Sequence, residues 1–321
     1  MSSLPEMYND RELESPFSFR ADEYDGKGEL LHKGYSYRES MEAAMPSFAR
    51  IQKMHLTERF FTKRMLYILQ FLYELGPLTA KEIEWAFLHP KVEPYERKIG
   101  VKDPYRQELL QLLNHGLLVK CEVTDNGRKR MRCFRLAPSM EQYYRSGMSI
   151  SREDIFSEHN ATESIRLYDL PAVLRAVSAS MYALRVCVYQ GHLLTASNRR
   201  FMEMGMMFDG KYLFENGIRH YVLSVRNMAA EYGNVLDAMM LPAFKKDMNY
   251  LLVITESMEK AQELRKLLLA KGLSGESGIL YTTDLALRNE NAPSLYTIDD
   301  DGYEICRMEE EKMSHLPGMQ P

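Results

Sequence analysis

Basic side chains are concentrated on one predicted β-hairpin in the first half of the chain. The turn Asp125-Asn126-Gly127 joins two strand-like runs, 117–123 and 129–136, and Asn-Gly is a strong hairpin signal. The hairpin carries five cations: Arg128, Lys129, Arg130, Arg132 and Arg135. Cations at the end of a projecting hairpin are well placed to contact phosphate groups, although basic residues also protect edge strands from aggregation.

The helix predicted before this hairpin has one apolar and one polar face. It begins at Asp103-Pro104 and stops at Gly116. The residues expected to face the core are Tyr105, Leu109, Leu112 and Leu113. The opposite face presents Gln107, Gln111 and Asn114, flanked by Arg106. Glutamine and asparagine can make paired hydrogen bonds to adenine, and arginine to guanine or phosphate. This face therefore predicts DNA contact, with protein docking as the alternative.

A second candidate site lies in the other half of the chain, around Asp209. This residue begins a predicted hairpin whose second strand ends in Ser224-Val225-Arg226. The spacing resembles the core of PD-(D/E)xK nucleases, in which two acids hold Mg²⁺ and a lysine orients the attacking water. Here Ser224 replaces the second acid and Arg226 replaces the lysine, so the resemblance implies vestigial positions without a metal. A migrated acid, Glu231, would restore the site; otherwise Asp209 only begins a turn.

Other common chemistries lack their sequence signals. The eight histidines show no i, i+4 pairing, and neither GxGxxG nor GxxxxGK[ST] occurs. Four cysteines without CxxC spacing exclude a zinc finger and a disulfide scaffold, and they fit a reducing cytoplasm. No apolar run is long enough for a transmembrane helix, and no secretory signal is seen. The sequence therefore predicts a cytoplasmic protein with no catalytic activity, cofactor or metal.

The elements that position the first site have the order of a winged helix-turn-helix domain. Thr57 is predicted to cap a helix that ends at Gly76-Pro77, and Thr79 with Glu82 forms a capping box for a second helix. The Asp103 helix is the third, and the hairpin follows it. In winged helix-turn-helix domains, which this order resembles, the third helix enters the DNA major groove and the hairpin contacts the backbone or minor groove.

The second half predicts a mixed, mainly parallel sheet covered by helices. A helix from residue 171 to about 181 leads into a strand at Leu184–Tyr189, and the Asp209 hairpin follows. After it come a helix, a strand at Tyr250–Thr255, a helix capped by Ser257, and further strands at Gly278–Thr282 and Leu295–Ile298.

Charge divides the chain in the same way. Residues 46–140 hold 17 Lys and Arg against 10 Asp and Glu, while both flanks are acidic and the whole chain is −4. We therefore expect an α/β, multi-domain protein: a flexible acidic arm at 1–45, a winged helix at 46–140, and a linker at 141–170. A degenerate restriction-endonuclease-like domain at 171–310 and a flexible tail at 311–321 complete it.

This combination resembles the replication-relaxation family of plasmids and conjugative elements. The matching features are the module from Thr57 to Pro138, Asp209 with its hairpin, Ser224-Val225-Arg226, and Tyr250–Thr255 before the capped helix. The resemblance implies a role in replication, mobilisation or transcription of a mobile element. It makes double-stranded DNA the expected partner, with a replication or mobilisation protein as a second candidate partner and homodimerisation left open. The alternatives are a nuclease using a migrated acid and an interaction scaffold whose winged helix binds protein.

Overall fold

A computed structural model gives the architecture for most of the chain. It describes residues 35–88, 104–126, 128–144, 146, 170–190, 196–197, 201–214, 217–226, 228–245, 248–273, 278–289, 294–298 and 303–307. Within them the fold is mixed α/β, as predicted. The predicted tail at 311–321 and most of the predicted linker at 141–170 lie outside the described residues.

The N-terminal module consists of the described elements up to residue 143. A four-stranded antiparallel sheet, in the order β1-β3-β4-β2, packs against its helices. Its elements in chain order are β1 Tyr35–Ser40, α1 Phe48–Leu56, α2 Lys63–Leu75, β2 Leu78–Thr79, α3 Ala80–Leu88, α4 Pro104–Asn114, β3 Leu118–Asp125, β4 Arg128–Leu136 and α5 Pro138–Tyr143.

Capping residues explain where the helices of this module begin. The Oγ1 atom of Thr62 accepts a hydrogen bond from the Met65 N–H at 3.2 Å and starts α2. The prediction that Thr57 caps this helix is wrong, because Thr57 instead ends α1, a helix that the sequence analysis did not predict. The Thr79 cap of α3 is confirmed by a 3.5 Å hydrogen bond from the Glu82 N–H to Thr79 Oγ1.

The last part of the predicted flexible arm is a strand. Residues Tyr35–Ser40 pair with β3 along its length, from Tyr35 opposite Asp125 to Ser40 opposite Lys120. Burial of Tyr37 against the core and a 2.5 Å contact between the Ser36 and Thr124 hydroxyls attach the strand to the sheet. The arm therefore contributes an edge strand, which short-range periodicity did not reveal.

The C-terminal module consists of the described elements from residue 170 onward. Its seven-stranded sheet has the order β13-β12-β11-β10-β9-β8-β5, with β9, β10 and β11 parallel and the remaining pairs antiparallel; β6 and β7 form a separate hairpin. The sheet is mixed as predicted, but the prediction that it is mainly parallel is wrong, because four of its six strand pairs are antiparallel. The elements are α6 Leu170–Gln190, β5 Ala196–Ser197, β6 Phe201–Glu203, β7 Met206–Phe208, β8 Gly210–Leu213, β9 Arg219–Ser224, α7 Met228–Met239, β10 Asn249–Thr255, α8 Met258–Ala270, β11 Ile279–Thr283, α9 Asp284–Asn289, β12 Ser294–Ile298 and β13 Tyr303–Arg307.

The longest helix replaces a predicted strand. The sequence predicted a strand at Leu184–Tyr189, but α6 continues through it to Gln190. Every side chain from Val177 to Val186 is buried, so no one-sided apolar stripe marks this segment as a helix. Periodicity alone does not distinguish a helix buried on all sides from a buried strand.

Helix α6 also joins the two modules. Its residues Tyr182 and Leu184 belong to one buried cluster that includes Met65 of α2 and Val222 of β9. The guanidinium group of Arg185 lies 3.5 Å from the centre of the Trp85 ring on α3. A second buried cluster covers the other face of the seven-stranded sheet.

Candidate functional site

Helix α4 has the two faces that its sequence predicted. Tyr105, Leu109, Leu112 and Leu113 are buried in the core of the N-terminal module. Arg106, Gln107, Gln111 and Asn114 are all exposed. Burial of the apolar stripe fixes the rotation of the helix about its axis, and this rotation turns the amide side chains outward. Arg106 also interacts with the neighbouring Tyr105 hydroxyl.

Two further features of α4 were not predicted from the sequence. The carboxylate of Glu108 accepts a hydrogen bond from Arg64 of α2 at 3.2 Å, which holds α4 against α2. Leu110 also lies on the exposed face and is 56% exposed. The outward face is therefore a row of amides around one apolar side chain.

The predicted hairpin is present, with an irregularity near its tip. Strands β3 and β4 pair from Leu118 opposite Leu136 to Asp125 opposite Arg128. The register shifts between Val123 and Thr124, where the pairing passes from Met131 to Lys129. Arg130 is the extra residue of this bulge, and bulges bend and twist a hairpin. The side chains of Arg128, Lys129 and Arg130 lie outside the described residues.

Two cations on the hairpin are paired with the chain's own acids. Arg132 donates from Nε and Nη2 to Glu122 Oε1 at 3.0 and 2.8 Å. Arg135 makes a two-point contact with Glu39 at 3.0 and 2.8 Å. The expectation that five basic residues are all directed at phosphate is therefore wrong for Arg135, which is half-buried beside β1. Arg132 remains exposed, and an exposed pair of this kind is worth about 0–1 kcal/mol.

The three residues predicted as vestigial nuclease positions, Asp209, Ser224 and Arg226, are buried and make contacts within the protein. The Asp209 carboxylate accepts the Ser224 N–H at 2.9 Å and so closes the start of the β8–β9 hairpin. Arg226 is fully buried and makes a two-point ion pair with Asp284 at 2.5 and 2.6 Å, and it also donates to the Ser178 hydroxyl. The ion pair supplies the opposite charge that a buried guanidinium requires.

Glu231, the candidate migrated acid, is also engaged. Its carboxylate accepts the Arg226 backbone N–H and pairs with Arg175 of α6. Across the described part of the chain, no group of three or more histidine, cysteine or acidic residues is placed to hold a metal ion. The carboxylates of Asp209 and Glu231 thus act here as hydrogen-bond acceptors within the protein.

A cluster of buried charges lies at the carboxyl ends of the three parallel strands. Arg226, Glu256 and Asp284 follow β9, β10 and β11, and all three are buried; we call them the strand-end cluster. Ligand sites of open α/β sheets commonly lie at this edge. Lys260 pairs with Glu256, but burial outweighs this pairing and raises the pKa of Glu256 to about 7. Of these three residues the sequence predicts only Arg226 as a site position, because they are far apart in the chain.

The chain was also compared with known proteins. No protein-family model, curated protein or solved structure shows a significant match to it. Within the described residues, no helix is both long and apolar enough to cross a membrane. The geometry of α4, the β3–β4 hairpin and the strand-end cluster is therefore the basis for a functional proposal.

Proposed function

We propose that this chain is a non-enzymatic DNA-binding protein that contacts double-stranded DNA with α4 and the β3–β4 hairpin. The observation that carries the proposal is the exposed face of α4, where four side chains able to hydrogen-bond to DNA lie outward while the opposite face is buried. The order α2, β2, α3, α4, β3, β4, with β2 paired to β4, is typical of winged helix-turn-helix domains. In such domains the helix at the position of α4 reads the major groove.

The chemistry of this face favours A·T base pairs. Gln107, Gln111 and Asn114 can donate and accept at the adenine edge, and Leu110 among them can contact the methyl group of thymine. An A·T pair presents both groups side by side in the major groove. Arg106 at the start of the exposed face is suited to phosphate or guanine.

Charge supplies the sequence-independent part of binding. The basic segment 46–140 contains the hairpin, and Arg128, Lys129 and Arg130 stand at its turn. Arg132 can exchange Glu122 for a phosphate at low cost, because the pair is exposed. Each phosphate neutralised contributes about −0.9 to the slope of log K against log salt concentration.

The C-terminal module has a supporting role in this proposal. Its strand-end cluster is internally paired, so we assign it no catalytic step. We propose self-association or recruitment of a replication or mobilisation protein for this module. The biological process in this proposal is replication, mobilisation or transcription of a mobile element. Only the resemblance of the sequence supports it.

Binding of random and A·T-rich duplexes, measured by fluorescence anisotropy across a salt series, tests the proposal. Replacing Gln111 and Asn114 by alanine should weaken A·T-rich binding by about 1–3 kcal/mol per lost base contact and leave the salt slope unchanged. Gln142→Ala, an exposed glutamine on α5, is the matched control. Absence of DNA binding at low salt refutes the proposal.

A second experiment addresses the hairpin. Replacing Arg128, Lys129 and Arg130 by alanine should reduce the salt slope by about 3 if each contacts one phosphate. The control removes two exposed lysines of the C-terminal module, Lys266 and Lys271, and should leave the slope unchanged. Changes in slope that follow only the number of cations removed, three in the hairpin variant and two in the control, would mean that only net charge matters.

Protein docking is the second candidate function, because Leu110 gives α4 an exposed apolar centre. Apolar side chains at the centre of a polar surface are common in protein interfaces. A partner that remains bound after nuclease treatment and is lost in Leu110→Ser, together with unchanged DNA affinity in that variant, would favour docking.

A further inference from the structure

Two cysteines face each other inside the four-stranded sheet. Cys121 of β3 lies directly opposite Cys133 of β4, five residue pairs from the hairpin turn. Both are fully buried free thiols, and opposite residues of an antiparallel pair project from the same face of the sheet. They are 12 positions apart in the chain, a spacing that gave no signal in the sequence.

The pairing continues across the whole sheet. Glu39 of β1 lies opposite Cys121, and Thr79 of β2 lies opposite Cys133. The row therefore runs from the edge strand β1 to the start of helix α3. The Cys121 thiol points to the Glu39 carboxylate at 3.8 Å, and Arg135 holds that carboxylate from the other side.

The backbone geometry permits a bond between the two sulfur atoms. Residues directly opposite in an antiparallel pair have Cα atoms about 4.5–5.5 Å apart. Disulfides span Cα separations of about 4.4–6.8 Å, so the two cysteines can be bridged without separating the strands.

The two thiols have different environments. The neighbouring Cys133 thiol lowers the pKa of Cys121, and the positive charge of Arg135 acts in the same direction, despite the burial of Cys121 and the negative charge of Glu39. The hydrogen bond to Cys121 and complete burial raise the pKa of Cys133. Cys121 also lies directly beside the edge strand β1, so we assign it as the nucleophile of the pair and Cys133 as the resolving thiol.

We propose that Cys121 and Cys133 form an oxidation site that closes to a cross-strand disulfide on reaction with a hydroperoxide. The Cys121 sulfur attacks one peroxide oxygen, the O–O bond breaks, and a sulfenic acid and one water form from hydrogen peroxide. The Cys133 sulfur then attacks the Cys121 sulfur, the S–O bond breaks, and the hydroxyl leaves as a second water with the Cys133 proton. Two thiols are oxidised and one peroxide is reduced.

Access to the pair is controlled by β1. The thiols are buried, so peroxide reaches them only when their cover opens. Strand β1 is an edge strand next to β3, and edge strands open at lower free energy than central strands. The resulting bond joins β3 to β4 within the hairpin and makes their pairing permanent until a thiol reductant cleaves it. The proposal does not depend on DNA binding.

Peptide mass spectrometry of the folded, full-length chain tests the site. In a Cys187→Ser, Cys306→Ser background, hydrogen peroxide should link the tryptic fragments 121–128 and 133–135 with loss of two hydrogens, and dithiothreitol should reverse the change. Neither fragment contains methionine, so peroxide oxidation of thioethers does not obscure the result. Cys133→Ser should abolish the link and leave a sulfenic acid on Cys121 that a 1,3-diketone probe traps.

Circular dichroism should first show that each variant unfolds cooperatively, which establishes that the reacting chain is folded. Three results would overturn the proposal: no loss of thiol in the folded chain, sulfinic acid on single cysteines without a link, or a link that forms only in denaturant. Cys121→Ser serves as the second variant. If Cys133 in this variant is sulfenylated as readily as Cys121 is in Cys133→Ser, the assignment of Cys121 as nucleophile is contradicted.

Discussion

Replacing Glu256 by glutamine should change how the stability of this protein depends on pH. The Glu256 carboxyl follows β10 and is buried, with Lys260 paired to it and Arg226 and Asp284 nearby. Burial raises its pKa to about 7, above the ordinary value of 4.5, although Lys260 and Arg226 act to lower it. Glutamine keeps nearly the same shape and removes the titration.

The sign and size follow from the two pKa values. Below pH 4.5 the carboxyl is neutral in both the folded and the unfolded chain. Between pH 4.5 and 7 the unfolded chain releases the proton while the folded chain retains it, so stability falls as pH rises. A shift of about 2.5 pKa units corresponds to roughly 3 kcal/mol, reached at pH 7 and constant above it.

Urea denaturation of both proteins from pH 4.5 to 8.5 measures this difference. The free energy of unfolding of the wild-type chain minus that of Glu256→Gln should decrease by about 3 kcal/mol across the interval. Glu259→Gln, which alters an exposed carboxylate in the first turn of α8, is the matched control and should show no such trend. A pH-independent difference for Glu256→Gln, or one that increases with pH, would refute the reasoning.

Three further predictions concern a buried histidine, a buried ion pair and a helix cap. Burial lowers the pKa of His220 to about 3, so the folded chain loses stability as pH falls from about 6.5 toward 3. By urea denaturation between pH 6.5 and 4, His220→Gln should therefore lose less unfolding free energy than the wild-type chain. Equal losses in the two proteins would contradict the burial argument. Arg226→Met leaves Asp284 without its buried partner, and we expect about 3–5 kcal/mol of destabilisation by chemical denaturation, whereas a loss below 1 kcal/mol would show that the ion pair is dispensable. Thr62→Ala removes the cap of α2 and should destabilise the chain by about 1 kcal/mol, whereas Thr57→Ala, which was the predicted cap, should have a smaller effect in the same assay.

Local sequence signals determined a large part of this fold. The apolar stripe of α4, the capping residues of α3 and α8, and the turn between β3 and β4 act within a few residues of each other, so they define their elements without knowledge of the rest of the chain. The outward face of α4 follows from the same stripe, and its four predicted residues are all exposed.

The tertiary structure decided which charged and reactive groups meet. Arg135 and Glu39 are 96 positions apart, and only the placement of β1 beside β3 brings the carboxylate to that arginine. The strand-end cluster forms in the same way, because parallel strands that are distant in the chain end at one edge of the sheet. Cys121 and Cys133 meet through strand register, and the burial of α6 on all sides depends on its packing against both modules. Periodicity describes one element at a time, whereas ion pairs, thiol contacts and burial on all sides depend on which elements become neighbours.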